Sequence, residues 1–180
     1  MNMKSFQHVT PPVRIFHGPD CLGSLGKELA RIGSKRAVVF CGPWAQGPLL
    51  DAVVAGMGER CASVFLDVVA HSPIESVKAA AASILLAEGN DVRALCTTPD
   101  GKGGLISPKL AAPKLPQIIV PTTPTTAMVK AGSAVFDPVT EERLALFDPK
   151  TRSQSIFIDP RMLASAPRGL IAAASVNTLA

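Results

Sequence analysis

The spacing of apolar residues predicts helices and strands in alternation. In "CLGSLGKELARIG" the apolar residues recur every three or four positions, so they share one face of a helix that ends at Gly33. These residues are Leu22, Leu25, Leu29 and Ile32. The continuous apolar run "RAVVFCG" predicts a buried strand covered on both faces. An edge strand, "PPVRIFHG", precedes the helix, and a helix, "LLDAVVAGMGE", and a strand, "ASVFLDVV", follow.

The segment "HSPIESVKAAAASILLAEGN" carries the strongest helix signal. Ser72 is placed to cap the helix, Pro73 suits its first turn, and Glu75 completes a capping box. Gly89 fits the end of the helix. The residues predicted on the buried face are Ile74, Val77, Ala81, Ile84 and Leu85.

The second half of the chain predicts mostly short strands. "VRALC" and "QIIVP" come first, and "SAVFDP", "RLALFDP" and "SIFIDP" each end in Asp-Pro. We interpret Asp137, Asp148 and Asp159 as turn caps, because Asp before proline accepts backbone N–H bonds in turns. The alternation predicts an α/β fold with a doubly wound, mainly parallel, Rossmann-like sheet, in which the last strands form a hairpin and an edge.

Two helices are expected at the end, in "DPRMLASAPRGLIAAASVNTLA", with a proline break between them. We expect residues 1–165 to form the α/β domain. Residues 166–180 would begin a helix that leads into a helical domain, which is absent or supplied separately. The apolar residues near this end predict an interface with another chain: Leu170, Ile171, Val176 and Leu179.

Composition excludes several classes of protein. The 180 residues are 47% hydrophobic, with no run near the roughly 18 apolar residues of a membrane span and no signal peptide at the start, so a cytoplasmic location is expected. The net charge of +4 is scattered and aromatic residues make up 4%, which argues against a nucleic-acid partner.

Cysteine and histidine show no metal-ligand spacing. Cys21, Cys41, Cys61 and Cys96 stand singly, which predicts buried, reduced thiols. The three histidines are far apart, and none has a carboxylate or a second histidine at usable spacing, so no metal site is predicted. The catalytic residues stay unknown, because no nucleophile and base are recognisable together.

Three turns are candidates for ligand binding, since ligands of doubly wound sheets bind beyond the carboxyl ends of the strands. They follow Cys41, Cys96 and Val120. Small and hydroxyl residues in "CTTPDGKGG" and "PTTPTT" suit a pyrophosphate, with Lys102 as an added positive charge. Ordinary strand-to-helix turn chemistry is the alternative.

Taken in order, several segments resemble the N-terminal domain of iron-containing (group III) alcohol dehydrogenases, in the maleylacetate reductase branch. They are "RIFHGPDCLGSLGKELARIGSKRAVVFCGP", "HSPIESV", "LPQIIVPTT", "FDP" at 147–149, "IFIDPRMLASAP" and "AAASVNTLA". The resemblance implies an oxidoreductase with a nicotinamide cofactor, NAD(P), in the α/β domain. It also implies a helical C-terminal domain with the histidines of a metal site, and it places Asn177 at the first metal position.

The chain departs from the family pattern at both glycine-rich turns. Where the family has Gly-Gly-Gly-Ser, this chain has residues 97–100, Thr-Thr-Pro-Asp, and Pro108 interrupts the helix that should follow. Asp100 would repel a pyrophosphate. The next motif keeps Pro-Thr-Thr but loses its glycines. The cofactor-binding residues that the resemblance leaves are Gly42, Pro43, Thr97, Thr98, Lys102, Thr122, Thr123, Thr126 and Arg143.

Two functions follow from these observations. The chain is the cofactor half of an NAD(P)-linked oxidoreductase that needs a helical, histidine-bearing half, or it is a degenerate structural or regulatory subunit. Cofactor binding is expected to be weak, and the second function supposes that it has been lost. A homo-oligomer or a hetero-oligomer is expected, and the choice between NAD and NADP stays open because no carboxylate follows Cys41.

Overall fold

The computed structural model describes residues 12–83 and 92–179. The strands in this part of the chain are β1 Arg14–His17, β2 Ala37–Phe40, β3 Cys61–Phe65, β4 Thr98–Pro99, β5 Leu105–Ile106, β6 Ile118–Ile119, β7 Gly132–Asp137, β8 Glu142–Phe147 and β9 Ser155–Ile158. The α-helices are α1 Leu25–Arg31, α2 Pro48–Met57, α3 Ile74–Ser83, α4 Pro160–Ala164 and α5 Arg168–Leu179. No helix within the described ranges is long and apolar enough to cross a membrane.

Parallel pairing organises the core of the molecule. β9 pairs in parallel with β1 on one side and with β6 on the other, and β2 pairs in parallel with β3 in a separate sheet. β4–β5 and β7–β8 are antiparallel pairs. The predicted α/β class and the final hairpin, β7–β8, are confirmed. The predicted edge position of β9 is wrong, because β9 is the central strand of its sheet.

The face of α1 packs on β9 as its spacing predicts. Leu22, Leu25 and Leu29 are buried in one cluster with Phe157, and the Phe157 ring stacks on Phe16 with centroids 4.3 Å apart. The first turn of the predicted helix is a 3-10 turn, and Gly33, at a φ of +75°, follows the end of α1. Burial of each of these side chains contributes roughly 1.5–3 kcal/mol.

A glycine sets how closely α2 approaches this layer. A Cβ at Gly56 would lie 2.3 Å from the backbone oxygen of Leu22, so a side chain there would push α2 away from the core. The absence of a side chain at Gly56 therefore allows α2 to pack closely against the core.

The three Asp-Pro units cap turns, as predicted. Asp148 accepts a bond from the Lys150 N–H at 2.9 Å, and Asp159 accepts one from the Arg161 N–H at 2.8 Å. Asp137 accepts from Val139 N–H at 2.9 Å in the β7–β8 turn. Each carboxylate satisfies a donor that the turn leaves open.

The predicted strand "VRALC" is wrong. Residues 93–95 form a 3-10 turn, and the Arg93 guanidinium binds Asp137 and Glu142 on the β7–β8 hairpin. The Cys96 thiol also lies 3.0 Å from the Val92 oxygen. Ion pairs across the fold therefore outweigh the local preference of an apolar run for a strand.

The capping prediction at Ser72 is also wrong. α3 begins at Ile74, and the Pro73 oxygen accepts the Val77 N–H at 3.1 Å, so Pro73 precedes the helix. Pro73 also makes an isolated bridge to Phe136, whose N–H donates to the Ser72 oxygen at 3.1 Å, and Ser72 has a positive φ of 48°. Tertiary pairing fixes this helix start. The predicted positions Ile84, Leu85 and Gly89 lie outside the described residues.

Burial is lower than predicted on β2 and at three cysteines. β2 is half-buried, with Phe40 40% exposed, because the strand has a described neighbour on one side only. The cysteines are all free, but only Cys96 is buried, while Cys21, Cys41 and Cys61 are half-buried.

The last two helices are as predicted. α4 is short, and α5 follows the break at Pro167. Along α5, Leu170 is 52%, Val176 69% and Leu179 88% exposed, so apolar side chains face outward.

Candidate functional site

A cleft of about 1320 Å³ is lined by residues of both parallel sheets. Its walls include residues of β2 and β6, and α1 and α2 contribute apolar side chains on one side. Binding sites for small ligands usually have volumes of roughly 300–1,000 Å³, so this space suits a large ligand.

Residues that follow the carboxyl ends of β2 and β6 line the same cleft. Gly42 and Pro43 follow β2, and Thr122 and Thr123 follow β6, and all four line the space. All four are among the predicted cofactor-binding residues, and the structure brings them to one cleft.

Only glycine fits at position 42. A Cβ there would lie 2.4 Å from the Trp44 indole nitrogen and 2.8 Å from the Val68 oxygen. Trp44 is 62% exposed and also lines the cleft. The indole therefore lies directly beside the backbone at this end of the cleft.

The cleft also has positive charge in its lining. Arg36, just before β2, and Lys114, ahead of β6, are the charged residues among those that line it, and no carboxylate does so in the described ranges. Lys114 Nζ lies 3.7 Å from Asp148 Oδ2. Its side chain is thus held at the cleft by a buried carboxylate.

The thiol at the cleft is a poor nucleophile. Burial raises the pKa of Cys41, so the thiol stays protonated near neutral pH. In the part of the chain that the structure describes, no three His, Cys, Asp or Glu residues come together as metal ligands. Catalytic residues are not apparent in the cleft.

The turn after Cys96 is filled by its own carboxylate. Asp100 Oδ1 accepts the N–H groups of Lys102 at 2.7 Å and Gly104 at 2.8 Å, and these bonds lower the pKa of Asp100. Residues 107–117 form no helix, in agreement with the effect expected of Pro108. Two backbone donors of this turn are therefore already engaged by Asp100.

Several of the predicted cofactor-binding residues lie away from the cleft lining. Thr97 Oγ1 is 2.7 Å from Ser107 Oγ, beside the β4–β5 pair that includes Thr98, and Lys102 is exposed. Arg143 on β8 is 3.2 Å from His71 Nδ1. Thr126 begins a short 3-10 turn, in which Ala127 rather than Thr126 lines the cleft.

Asn177, predicted at the first metal position, lies on the exposed side of α5. The described residues place no histidine-containing ligand group around it.

Known proteins related to this chain share both sequence and fold with it. No protein-family model matches. Over 124 residues, 67% of this chain and 34% of the relative, the sequence is 34% identical to a maleylacetate reductase of Rhizobium sp. (strain MTP-10005). It is 31% identical over 115 residues to a maleylacetate reductase of Sphingobium indicum, covering 62% of this chain and 31% of that relative. The fold matches an iron-containing alcohol dehydrogenase from Corynebacterium glutamicum, with a TM-score of 0.72 and 18% identity over 98% of this chain and 48% of that one.

The chain belongs to the iron-containing alcohol dehydrogenase family. A sulfoacetaldehyde reductase from Bifidobacterium kashiwanohense, solved in complex with NAD+, has the same fold, with a TM-score of 0.76 and 16% identity over 97% of this chain and 51% of that one. The chain thus spans about half the length of these structures and about a third of the curated relatives that it matches.

Sequence reasoning missed some of the residues that shape the site. Arg36 and Lys114 have no motif, and only the three-dimensional arrangement brings both to the cleft. Trp44 is the single tryptophan of the chain, in the turn after a predicted strand, and this position could have identified it.

Proposed function

We propose that this chain is the cofactor-binding half of an NAD(P)-linked oxidoreductase of the maleylacetate reductase type. The observation that carries the proposal is the cleft at the carboxyl ends of β2 and β6, lined by Gly42, Thr122 and Thr123. Parallel α/β sheets bind dinucleotides at such crevices.

The residues of the cleft suit part of a dinucleotide. Threonine hydroxyls and the backbone at Gly42 offer hydrogen bonds to phosphate oxygens, and the apolar walls suit planar rings. The bound cofactor supplies the hydride, and this chain supplies binding and orientation. Substrate contacts and a metal would come from the helical half that the relatives' greater length implies.

One observation favours a second function, that of a structural or regulatory subunit without cofactor. Asp100 occupies the N–H groups of Lys102 and Gly104 in the turn after Cys96, so these two donors are lost to a phosphate. Each hydrogen bond to a charged group contributes about 1.5–3 kcal/mol, so losing two weakens binding by two orders of magnitude or more. Cofactor affinity separates the two functions.

Calorimetric titration of the chain with NADH and NADPH tests the proposal. We expect weak binding, with Kd on the order of 0.1–1 mM, because hydrogen bonds remain at the cleft and are lost at the turn. Thr122→Val removes a hydroxyl from the cleft and should weaken binding about tenfold. Thr98→Val, a matched change outside the cleft lining, should have no effect.

Two results would change this view. If the titration gives no heat of binding at millimolar cofactor, the chain does not bind the cofactor, and the structural or regulatory function is favoured. A low-micromolar Kd that is sensitive to Thr98→Val and not to Thr122→Val would place the cofactor at the substituted turn. Hydride transfer should appear only when the chain is mixed with the helical half of a maleylacetate reductase relative.

We also propose that the apolar side chains of α5 form an interface, either with a second copy or with a helical partner. Leu170, Val176 and Leu179 are each more than half exposed, and burying such a side chain contributes roughly 1.5–3 kcal/mol. Light scattering should show a complex for the wild type, and a Leu170→Asp, Leu179→Asp double variant should be monomeric. Monomers in both cases, with no helical partner bound, would remove the argument.

A further inference from the structure

An arginine and a histidine meet at the rim of the cleft. Nη2 of Arg143, on β8, lies 3.2 Å from Nδ1 of His71, in the loop between β3 and α3. Val69 and Ala70, directly before His71, line the cleft, so the pair lies beside it. Both residues of the pair are exposed. A ligand in the cleft therefore has access to them.

The backbone around the pair holds it in place. The register of the hairpin pairs Arg143 with Phe136, and the Phe136 N–H donates to the Ser72 oxygen at 3.1 Å. Pro73 also bridges to Phe136. His71 and Ser72 have positive φ angles of 65° and 48°, which are uncommon for residues other than glycine. Such strain persists where the surrounding structure fixes it, and it is frequent at ligand sites.

The charge of Arg143 is not neutralised by the carboxylates of its own hairpin. Glu142, the preceding residue, points to the opposite face of β8 and binds Arg93, and Asp137 binds Arg93 too. In the described ranges no carboxylate forms an ion pair with Arg143, whose contact is with the His71 ring. An arginine fixed in this way offers charge-assisted hydrogen bonds to an anion.

The direction of the hydrogen bond sets the charge of the pair. A guanidinium donates and never accepts, so Nδ1 of His71 accepts this bond and the ring is neutral, with its proton on Nε2. The pair therefore carries a single positive charge, on Arg143. His71 engages one N–H of the guanidinium, and the other N–H groups of the planar fork remain for a ligand.

We infer that Arg143 binds a carboxylate group of a small organic acid, and that His71 is the residue that positions its guanidinium. The planar fork matches the two oxygens of a carboxylate, and the single positive charge matches its charge. A phosphate group carries about −1.5 to −2 and favours a cluster of cations. Naming this acid as the substrate of the reductase rests on the proposed function, whereas the carboxylate site itself does not.

An NMR titration of the isotope-labelled chain with succinate, without cofactor, tests the site. We expect the backbone amides of Ser72 and Leu144 to shift, with a Kd in the millimolar range, because both residues of the pair are exposed. Succinamide, which has a similar shape and no charge, should cause no shift. Arg143→Gln should weaken succinate binding about tenfold or more. Arg168→Gln, at an exposed arginine on α5, is the matched control and should change nothing.

Two variants at position 71 separate positioning from a merely structural role. His71→Ala removes the acceptor and should weaken succinate binding severalfold, although Arg143 remains. His71→Asn should restore the affinity, because its side-chain oxygen accepts the same bond and asparagine tolerates a positive φ. Circular dichroism should show that both variants are folded. Equally weak binding by the two folded variants would contradict the role of His71.

Inorganic phosphate and NADH identify the anion. We expect phosphate to bind more weakly than succinate, and saturating NADH to leave succinate bound. Tighter binding of phosphate, or displacement of succinate by NADH, would assign Arg143 to a phosphate and overturn the proposal, as would an unchanged succinate affinity in Arg143→Gln. NADH binding without any succinate shift would remove the carboxylate site and leave the proposed function. Succinate binding without NADH binding would support the site and remove the proposed function.

Discussion

Phe157→Ala should lower the free energy of unfolding by about 3–5 kcal/mol and the Tm by roughly 10 °C. Phe157 is fully buried on the central strand β9, packed with Leu25 and Leu29 and stacked on Phe16. Its removal leaves a cavity in the cluster between the central sheet and α1. The loss is large because total stability is only about 5–15 kcal/mol.

Urea denaturation followed by circular dichroism measures this effect. Phe147→Ala is the matched control, because Phe147 is 45% exposed on the hairpin, and its loss should cost less than about 1 kcal/mol. Equal costs for the two variants would show that the core does not centre on β9.

Glu28→Ala should lower the free energy of unfolding by about 2–4 kcal/mol, because it leaves buried polar groups without a hydrogen-bonding partner. Glu28 is 2% exposed on α1 and accepts a hydrogen bond from Ser155, a fully buried residue of β9. Arg31 donates two further bonds at 2.8 and 2.9 Å, and Arg14 lies 3.3 Å away. Without the carboxylate, the Ser155 hydroxyl is left in the core without this partner. Glu59→Ala, at an exposed site, should be nearly neutral.

The cost of Glu28→Ala should depend on pH. The bonds from Arg31, helped by Ser155, hold the pKa of Glu28 below its ordinary value of 4.5. A lowered folded-state pKa means that the ionised form favours folding, so the contribution is complete above the unfolded-state pKa and is lost as pH falls through the folded-state pKa. The difference between wild type and variant should therefore be constant at neutral pH and shrink below about pH 4. A difference that grows on acidification would contradict this account.

Sequence reasoning succeeded where local chemistry decides the structure. The three- and four-residue spacing of Leu22, Leu25 and Leu29 identifies the buried face of α1 and of the 3-10 turn before it. Asp148 and Asp159 cap their turns because an Asp-Pro pair needs only neighbouring N–H groups to do so. At the site, the residues after β2 and β6 were identified by the rule that ligands bind at the carboxyl ends of parallel strands.

Predictions from the sequence failed where contacts between distant parts of the chain determine the local structure. Residues 93–95 form a turn because Arg93 reaches Asp137 and Glu142, which lie more than forty positions away along the chain. The central position of β9 depends on which strands pair, and apolar spacing carries no information on this. The position of Lys114 in the cleft lining was not predicted either, because the loop that carries it has no regular pattern of apolar residues.

The pairing of β1 with β9 affects how the chain folds during its synthesis. Arg14 pairs with Ser155, so β1 can form this pairing only after the chain has been synthesised as far as β9. Such sequence-distant parallel pairing slows folding, since the ends of a long loop must meet before any contact rewards them. While a ribosome is still making the middle of the chain, β1 has an unpaired edge and the apolar face of α1 lacks β9 to cover it. A nascent chain with this exposed apolar surface is expected to bind a chaperone. A chain truncated before Ser155 should aggregate rather than fold.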